Sequence, residues 1–108
     1  MADFKIKNGV LIKCYDNDSA VVIPESVTSI GNSTFYYYKH ANLQKITIPD
    51  NVTAIGKEAF YCCKALQKIT IPDSVTAIGD WAFYDCKTLQ EITIPDSVTA
   101  IGNSAIEW

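Results

Sequence analysis

The sequence contains no arginine, and histidine occurs once, at His40. Nucleic-acid binding usually needs basic clusters, in which arginine is the preferred side chain. Here nine lysines stand against twelve aspartates and glutamates, and the net charge is −3. We therefore expect no nucleic-acid partner.

Long hydrophobic runs are also missing. No stretch approaches the roughly 20 apolar residues of a membrane-spanning helix. Residues 1–9 alternate polar and apolar side chains and lack the apolar segment of a secretory signal. The sequence predicts no membrane insertion. It predicts a cytoplasmic location if the chain is complete as printed, and a secreted or cell-surface location if it is a fragment of a longer protein.

The patterns that carry catalysis or hold metals are not found. General acid–base catalysis and nucleophile activation need a base beside the reactive group. The single histidine lies in an insertion without a recurrent serine or aspartate nearby. Cysteines occur at positions 14, 62, 63 and 86 without the paired spacing of a zinc site. We expect a protein that is not an enzyme and that carries no cofactor or metal.

What the sequence does contain is a repeat. Residues 70–79 read TIPDSVTAIG, residues 93–102 repeat this letter for letter, and residues 47–56 differ at one position. The starts at 47, 70 and 93 are 23 residues apart. An earlier copy begins at Val22, and its unit carries two extra residues between Tyr38 and Leu43. A period in the twenties is typical of leucine-rich-repeat solenoids.

The second half of each unit strengthens this interpretation. Leu66, Ile69 and Ile71 have the L-x-x-L-x-L spacing of leucine-rich repeats. The full run L-x-x-I-T-I-P-x-x-V-T-x-I-G-x-x-A-F-x-x-C resembles the BspA-like leucine-rich repeats of bacterial surface proteins and some protist proteins, from about Val10 to Ile106. The resemblance implies a solenoid with a role in adhesion or host attachment.

Side-chain alternation within a strand sorts the residues of each unit into two faces. Ile69 and Ile71 point into the solenoid, whereas Lys68 and Thr70 point to the concave face. Pro72 ends the strand because it cannot donate to a sheet. Successive units stack about 5 Å apart, so equivalent residues form ladders.

Turn chemistry completes the predicted fold. Gly79 supplies a tight turn, Ala82 and Phe83 begin a short helical segment, and Asn8-Gly9 between alternating apolar residues favours a type I′ hairpin. We predict an α/β solenoid, a short right-handed leucine-rich-repeat coil with stacked parallel strands, short helical segments and an N-terminal β-hairpin cap.

The chain is expected to form a single leucine-rich-repeat domain over residues 1–108. The cap hairpin and first strand occupy 1–21, the repeats 22–46, 47–69 and 70–92, and a partial C-terminal repeat 93–108. The last strand, near Glu91 to Ile94, would lie close to an open edge, and such edges invite pairing with another chain. A homodimer through this C-terminal edge is one predicted arrangement, and coverage of the end by Trp108 is the other.

Another protein is the expected partner, and two surfaces are candidates for binding it. The concave face carries Lys45, Thr47, Lys68, Thr70, Glu91 and Thr93. The second surface is aromatic and comprises Tyr36, Tyr61, Tyr84 and Trp81 with the inserted residues Tyr37, Tyr38, Lys39 and His40. Tyrosine and tryptophan are enriched in binding hot spots. Alternatively, the threonines serve β propensity on a solvated face, and the tyrosines cover the turn side with wet hydroxyls.

Two further ladders have a structural and a functional interpretation. Cys63 and Cys86 occupy the same repeat position, and we favour buried thiols over a disulfide or metal pair. Glu25, Asp50, Asp73 and Asp96 form a carboxylate row that could chelate calcium, but caps of the turns after proline are the favoured interpretation.

The functional prediction is a non-catalytic protein-binding module of the adhesion, adaptor or inhibitor type. Two alternatives stay open. One is a structural repeat fragment without a ligand, and the other is a carbohydrate-binding surface module that uses the aromatic row as a sugar platform.

Overall fold

The computed structural model describes residues 3–15, 18–36, 42–90 and 92–106. The chain begins with a hairpin in which β1 (Phe4–Lys7) pairs antiparallel with β2 (Val10–Cys14). Between them Asn8 and Gly9 have φ angles of 52° and 79°. A type I′ turn requires positive φ at both central residues, so the predicted hairpin is confirmed.

The remaining strands belong to successive coils. They are β3 (Ala20–Val22), β4 (Ser29–Ile30), β5 (Lys45–Thr47), β6 (Ala54–Ile55), β7 (Lys68–Thr70), β8 (Ala77–Ile78) and β9 (Ala100–Ile101). Two sheets result: a long sheet in the order β1-β2-β4-β6-β8-β9 and a short sheet in the order β3-β5-β7. From β2 onward all neighbours pair in parallel. This confirms the stacked parallel strands of the predicted solenoid.

Strand register follows the sequence repeat. In the long sheet Ile30 pairs with Ile55, Ile55 with Ile78, and Ile78 with Ile101. In the short sheet Ile46 pairs with Ile69. Equivalent residues of consecutive units are therefore direct neighbours in space wherever these strands pair.

The core lies between the two sheets and contains a ladder of phenylalanines, one of the ladders of equivalent residues that the repeat predicts. Phe35, Phe60 and Phe83 are completely buried. Their rings stack almost parallel, with centroid separations of 5.2 Å at each step. The core is thus a column of like residues.

The expected short helical segments are absent from the described residues, and consecutive turns take their place. The amides of Glu58, Phe60 and Cys62 donate to carbonyls of the next coil, while those of Ala59 and Tyr61 donate three residues back in their own coil. A helix would direct every amide to its own i−4 carbonyl. Alternation of the two directions excludes a helix because it uses half of the donors to join the coils.

The role predicted for Gly79 also needs correction. Its φ lies outside the left-handed region, so the turn does not need glycine's conformational freedom. A Cβ at Gly79 would lie 2.6 Å from the Lys57 nitrogen and 2.7 Å from the Gly56 carbonyl carbon of the preceding coil. Glycine is required here because two backbones pass in direct contact.

The last coil departs from the predicted pattern. Residues 92–94 form no strand, so β7 is the final strand of the short sheet in the described part of the chain. On the other side β9 still pairs with β8. Ile101 is 53% exposed, although Ile78 at the same position of the preceding coil is 2% exposed.

Candidate partner-binding surfaces

The first candidate surface lies on the outer side of the short sheet. We call it the Lys–Thr face, and it comprises Ala20, Val22, Lys45, Thr47, Lys68, Thr70 and Thr93. Lys45 pairs with Lys68 and Thr47 with Thr70, and all four are exposed. Ile46 turns inward between them. The strand alternation therefore places the predicted residues as the sequence indicated.

Two open hollows indent the Lys–Thr face. The larger, of about 710 Å³, lies beside the last coil and is lined by Gln67, Lys68, Ile69, Thr70, Ile71, Asp73, Gln90, Thr93 and Pro95. The smaller, of about 300 Å³, is lined by Lys45, Ile46, Thr47, Ile48, Lys68 and Thr70. Lys68 and Thr70 line both hollows, so the depressions adjoin along the face.

The lysines of this face are not neutralised within the described residues. The ion pairs found there involve Lys64 and Lys87, and neither Lys45 nor Lys68 takes part. Threonine hydroxyls accompany the two ammonium groups along the sheet. The face therefore presents hydrogen-bond donors of positive charge to whatever approaches it.

The aromatic row is the second candidate surface. Tyr36 and Tyr61 stack with centroids 5.0 Å apart, and Tyr61 and Tyr84 stack 5.4 Å apart. All three are half-buried. The neighbouring rings cover both faces of Tyr61, and this burial raises the pKa of its hydroxyl. The row thus exposes ring edges and hydroxyls.

Trp81 lies apart from that row, in a turn with a φ of 55°. The ring is 36% exposed, and the Lys57 Nζ lies 5.5 Å from its centroid. This is a cation–π contact, which covers one face of the indole. The Trp81 ring therefore contacts Lys57 of the adjacent coil and is also partly exposed to solvent.

A charged cluster beside the tyrosine row was not predicted. Asp85 accepts from Lys87 Nζ at 2.8 Å and lies 3.9 Å from Lys64 Nζ. The bond to Lys87 holds the pKa of Asp85 below its ordinary value. The available signal was that Lys64 and Lys87 share a repeat position while Asp85 replaces Cys62, so a carboxylate lies between stacked cations.

Cys62 adjoins this cluster, and its thiol is not an activated nucleophile. Its Sγ lies 3.7 Å from the Asp85 carboxylate. Partial burial, followed by the negative charge of Asp85, raises the pKa of the thiol. A reactive cysteine needs the opposite, a positive environment that favours the thiolate. The cluster therefore favours the protonated thiol of Cys62.

The thiols of Cys63 and Cys86 form the predicted buried ladder. Both are fully buried. Their Sγ atoms donate to the carbonyls of Phe35 at 2.9 Å and Phe60 at 3.1 Å in the preceding coils. Burial raises the pKa of Cys86 to about 12 and that of Cys63 further. Each thiol therefore hydrogen-bonds its own coil to the coil before it.

The carboxylate row follows the prolines, as predicted. In each coil a valine amide donates to the proline carbonyl three residues earlier, at 3.1–3.2 Å, which closes a turn around the acidic residue. The four carboxylates are exposed. In the described ranges no three His, Cys, Asp or Glu side chains are grouped so that they could hold a metal ion.

Five predicted site residues lie outside the described residues. They are Tyr37, Tyr38, Lys39 and His40 of the insertion and Glu91, which the sequence assigned to the concave face. Among the residues that are described, none forms a helix long and apolar enough to cross a membrane.

Comparison with known proteins identifies one family of repeat proteins. The model for the BspA type leucine rich repeat region matches residues 5–107 in six copies. No curated protein sequence matches the chain.

Solved structures with the same fold come from several bacteria. A leucine-rich repeat protein from Bacteroides ovatus is 31% identical, with a TM-score of 0.78 over 94% of this chain and 30% of that one. A leucine rich cell surface protein from Faecalibacterium prausnitzii is 34% identical, with a TM-score of 0.79 over 95% of this chain and 33% of its own. The T. pallidum leucine rich repeat protein is 26% identical, with a TM-score of 0.83 over 94% of this chain and 50% of its own. The chain thus spans about 30–50% of the length of these relatives.

Proposed function

Because this chain belongs to the BspA-type leucine-rich-repeat family, we propose that it is a non-catalytic protein-binding module and that the Lys–Thr face is its binding surface. The adhesion, adaptor and inhibitor roles differ in the partner and share this surface. Solenoids use extended concave surfaces for such contacts.

One observation supports this face over the others: the in-register Lys45, Lys68, Thr47 and Thr70 line the smaller hollow, and Lys68 and Thr70 line the larger one as well. A bound segment can insert side chains into the depressions while the rows contact its flanks. The long sheet offers mainly small side chains at the corresponding outward positions, Ser29, Ala54 and Ala77. The Lys–Thr face therefore has deeper depressions and more charged side chains for a partner to contact than the long sheet has.

The charge of the face specifies the chemistry of the partner. Lys45 and Lys68 have no ion-pair partner among the described residues, so an approaching carboxylate gains an interaction without breaking an existing one. Complementary charge raises the association rate and fixes the register of binding more than it raises affinity. We expect an acidic protein surface or segment.

The tyrosine row gives less support to the carbohydrate alternative. A sugar platform needs an exposed aromatic face, and the faces of Tyr61 are covered by Tyr36 and Tyr84 at 5.0 and 5.4 Å. Glycan-array binding by the purified chain would favour this alternative over a protein partner.

Charge reversal provides the test. The double variant Lys45→Glu/Lys68→Glu should lose capture of the protein that the wild-type chain retains from lysate of its source. The matched control is Lys5→Glu/Lys13→Glu, which makes the same change of net charge on two exposed lysines paired across the β1–β2 hairpin. The control should retain the partner.

Two outcomes would contradict the proposal. Equal capture by the wild type and the Lys45→Glu/Lys68→Glu variant would exclude the Lys–Thr face as the site. Equal loss in both double variants would show that net charge, and not this surface, controls binding.

A further inference from the structure

Two pairs of stacked lysines differ in how their charge is compensated. Lys64 and Lys87 occupy equivalent positions of adjacent coils, and the Asp85 carboxylate lies 3.9 Å from the first Nζ and 2.8 Å from the second. Lys45 and Lys68 are likewise direct neighbours, paired in register between β5 and β7. Among the described residues no carboxylate forms an ion pair with either of them. Within that part of the chain, the fold compensates the first pair and not the second.

The uncompensated pair has a cost and a space beside it. Like charges that face each other across neighbouring strands are destabilising. Both side chains are exposed, so burial does not offset this cost. The hollow of about 300 Å³ is lined by both lysines together with Thr47 and Thr70. Their ammonium and hydroxyl groups can donate to an incoming carboxylate, which then has the place that Asp85 has in the other pair.

An apolar patch adjoins the lysines on the side of the preceding coil. Ala20 pairs with Lys45 and Val22 with Thr47, so β3 continues both rows of the Lys–Thr face. Both apolar side chains are exposed, Val22 to 68%. Later coils have threonine at the position of Val22. The face is therefore apolar on β3 and cationic on β5 and β7.

The spacing of these features favours an extended ligand. Neighbouring strands lie about 4.8 Å apart, so the midpoint between the two lysine rungs lies one and a half rungs, or about 7 Å, from the β3 rung along the stack. Side chains i and i+2 of an extended segment lie on one side of it, about 6.6–6.8 Å apart. A segment that runs along the stack therefore sets one side chain over β3 and the side chain two positions away between Lys45 and Lys68.

We infer that the Lys–Thr face binds an extended segment of another protein with the pattern apolar-x-acidic, in which the carboxylate bridges Lys45 and Lys68 and the apolar side chain packs on Val22. The inference rests on the proposed function and specifies the chemistry of the partner. The middle residue of the pattern points away from the face and is unrestricted. Adjacent apolar and acidic residues do not fit, because an extended segment directs them to opposite sides.

Peptide titration followed by NMR tests the pattern. The probe is the acetylated and amidated peptide Ser-Thr-Leu-Thr-Glu-Thr-Ser, and the control is Ser-Thr-Thr-Leu-Glu-Thr-Ser, which has the same composition with leucine and glutamate adjacent. At millimolar concentrations the probe should shift the amide resonances of β3, β5 and β7. It should bind roughly threefold more tightly than the control, in which one of the two contacts is lost. Equal dissociation constants for the two peptides, or no shifts on these strands, would overturn the inference.

Two glutamine variants separate the uncompensated lysine pair from the compensated one. Lys68→Gln should weaken binding of the probe about threefold to fivefold, the effect of losing one exposed ion pair. Since it also removes a facing like charge, its thermal midpoint should not fall below that of the wild type. Lys87→Gln, the matched control, removes the bond to Asp85, so it should not raise the midpoint and should leave probe binding unchanged. Equal probe binding by the two variants, or a lower midpoint for Lys68→Gln, would contradict the inference.

Val22→Thr tests the apolar contact with the residue that later coils have at this position. It should abolish the preference for the probe over the control peptide, and a preference that persists would exclude Val22 as the apolar contact. The peptides also separate this inference from the proposed function. If the Lys45→Glu/Lys68→Glu variant loses its partner from lysate while the two peptides bind the wild type alike, the face is a binding surface and the apolar-x-acidic pattern is wrong.

Discussion

At the scale of single residues, several turn positions have a strained backbone conformation that their residue types do not indicate. Six residues other than Asn8 and glycine have φ between 51° and 60°: Ser33, Glu58, Cys62, Trp81, Asp85 and Ser104. The left-handed conformation costs a residue with a Cβ about 1–2 kcal/mol. These residues persist there because each turn directs amides toward the next coil. Neither glycine nor asparagine marks the positions, so the sequence offers no local signal for them.

Glu58→Gly should stabilise the fold. Glu58 is the third residue of the turn that Gly56 begins, where the backbone has a φ of 55°. Glycine removes the left-handed penalty and adds entropy to the unfolded chain, so we expect a net gain of about 0.5–1 kcal/mol. Thermal unfolding should show a midpoint higher by roughly 2–6 °C.

Lys57→Gly is the control for this change. It lies one residue earlier in the same turn, and its φ is outside the left-handed region. There glycine adds unfolded-state entropy and also removes the cation–π contact with Trp81, so we expect a loss of about 1–2 kcal/mol. If the two glycine variants lower the midpoint alike, the turn is not strained at Glu58.

Thiol reactivity should separate Cys62 from the other three cysteines. Cys14, Cys63 and Cys86 are at most 5% exposed, whereas Cys62 is half-buried. Since its pKa is raised, the thiolate fraction of Cys62 at neutral pH is below that of a free cysteine. Iodoacetamide should label this position alone, slowly at pH 7 and faster as the pH rises. Mass spectrometry of the native protein measures the label, and a guanidinium-unfolded sample should carry four.

Rapid labelling of Cys62 at neutral pH would contradict the raised pKa. Labelling of Cys63 or Cys86 at a similar rate would contradict the buried ladder.

At the scale of structural elements, stacking decides how much each core residue contributes. Phe60 lies between two rings, Phe35 and Phe83, each with a centroid 5.2 Å away. Among the described residues Phe83 stacks on Phe60 alone. An aromatic pair contributes about 0.5–1.5 kcal/mol beyond the area it buries. A residue in the middle of a ladder is thus worth more than the same residue nearer its end.

Phe60→Leu should therefore destabilise the protein more than Phe83→Leu, by about 1 kcal/mol. Both side chains are fully buried, so the loss of hydrophobic volume is matched. Urea unfolding of the two variants measures the difference in free energy.

Tyr61→Leu is the reference for the exposed row, and it should cost less than either phenylalanine variant because Tyr61 is half-buried. Equal free energies for Phe60→Leu and Phe83→Leu would mean that the rings contribute burial alone and that stacking adds nothing.

The sequence specifies the strands well and the turns poorly, for a physical reason. A 23-residue period fixes which residues stack, and strand alternation fixes which of Ile69 and Thr70 faces inward. The segment after Gly56 contains alanine, phenylalanine and lysine, which satisfy a helical pattern equally well. Its conformation is decided by backbone bonds such as that from Phe60 N to Ala82 O, 22 residues away. No local preference reveals a contact of that kind.

The candidate site likewise has one part that the repeat predicts and another that it does not. The Lys–Thr face could be predicted residue by residue, because Lys45 and Lys68 follow from the repeat and the strand period. The larger hollow beside them depends on how the last coil sits against β7, which the repeat does not encode. The Asp85 cluster was missed because one coil departs from the repeat there, and a repeat-based comparison averages over such departures.

At the scale of the whole molecule, the contacts that stabilise the solenoid are made between adjacent coils. The stability of a solenoid is approximately a sum of unit and neighbour-interface terms. The last described coil has a neighbour on one side, makes no strand contact with β7, and exposes Ile101. It should therefore open more readily than the inner coils and close without unfolding them.

Hydrogen exchange at two equivalent glycine amides tests whether the last coil opens more readily than an inner coil. The amide of Gly79 donates to Ile55 O and that of Gly102 to Ile78 O, each at 2.8 Å. Both glycines follow the sequence Ala-Ile, so their intrinsic exchange rates are the same and only the position of the coil differs. Gly102 should exchange at least tenfold faster, which corresponds to about 1.4 kcal/mol in opening free energy. Equal protection would show that the last coil unfolds only together with the rest and that the solenoid is a single cooperative unit.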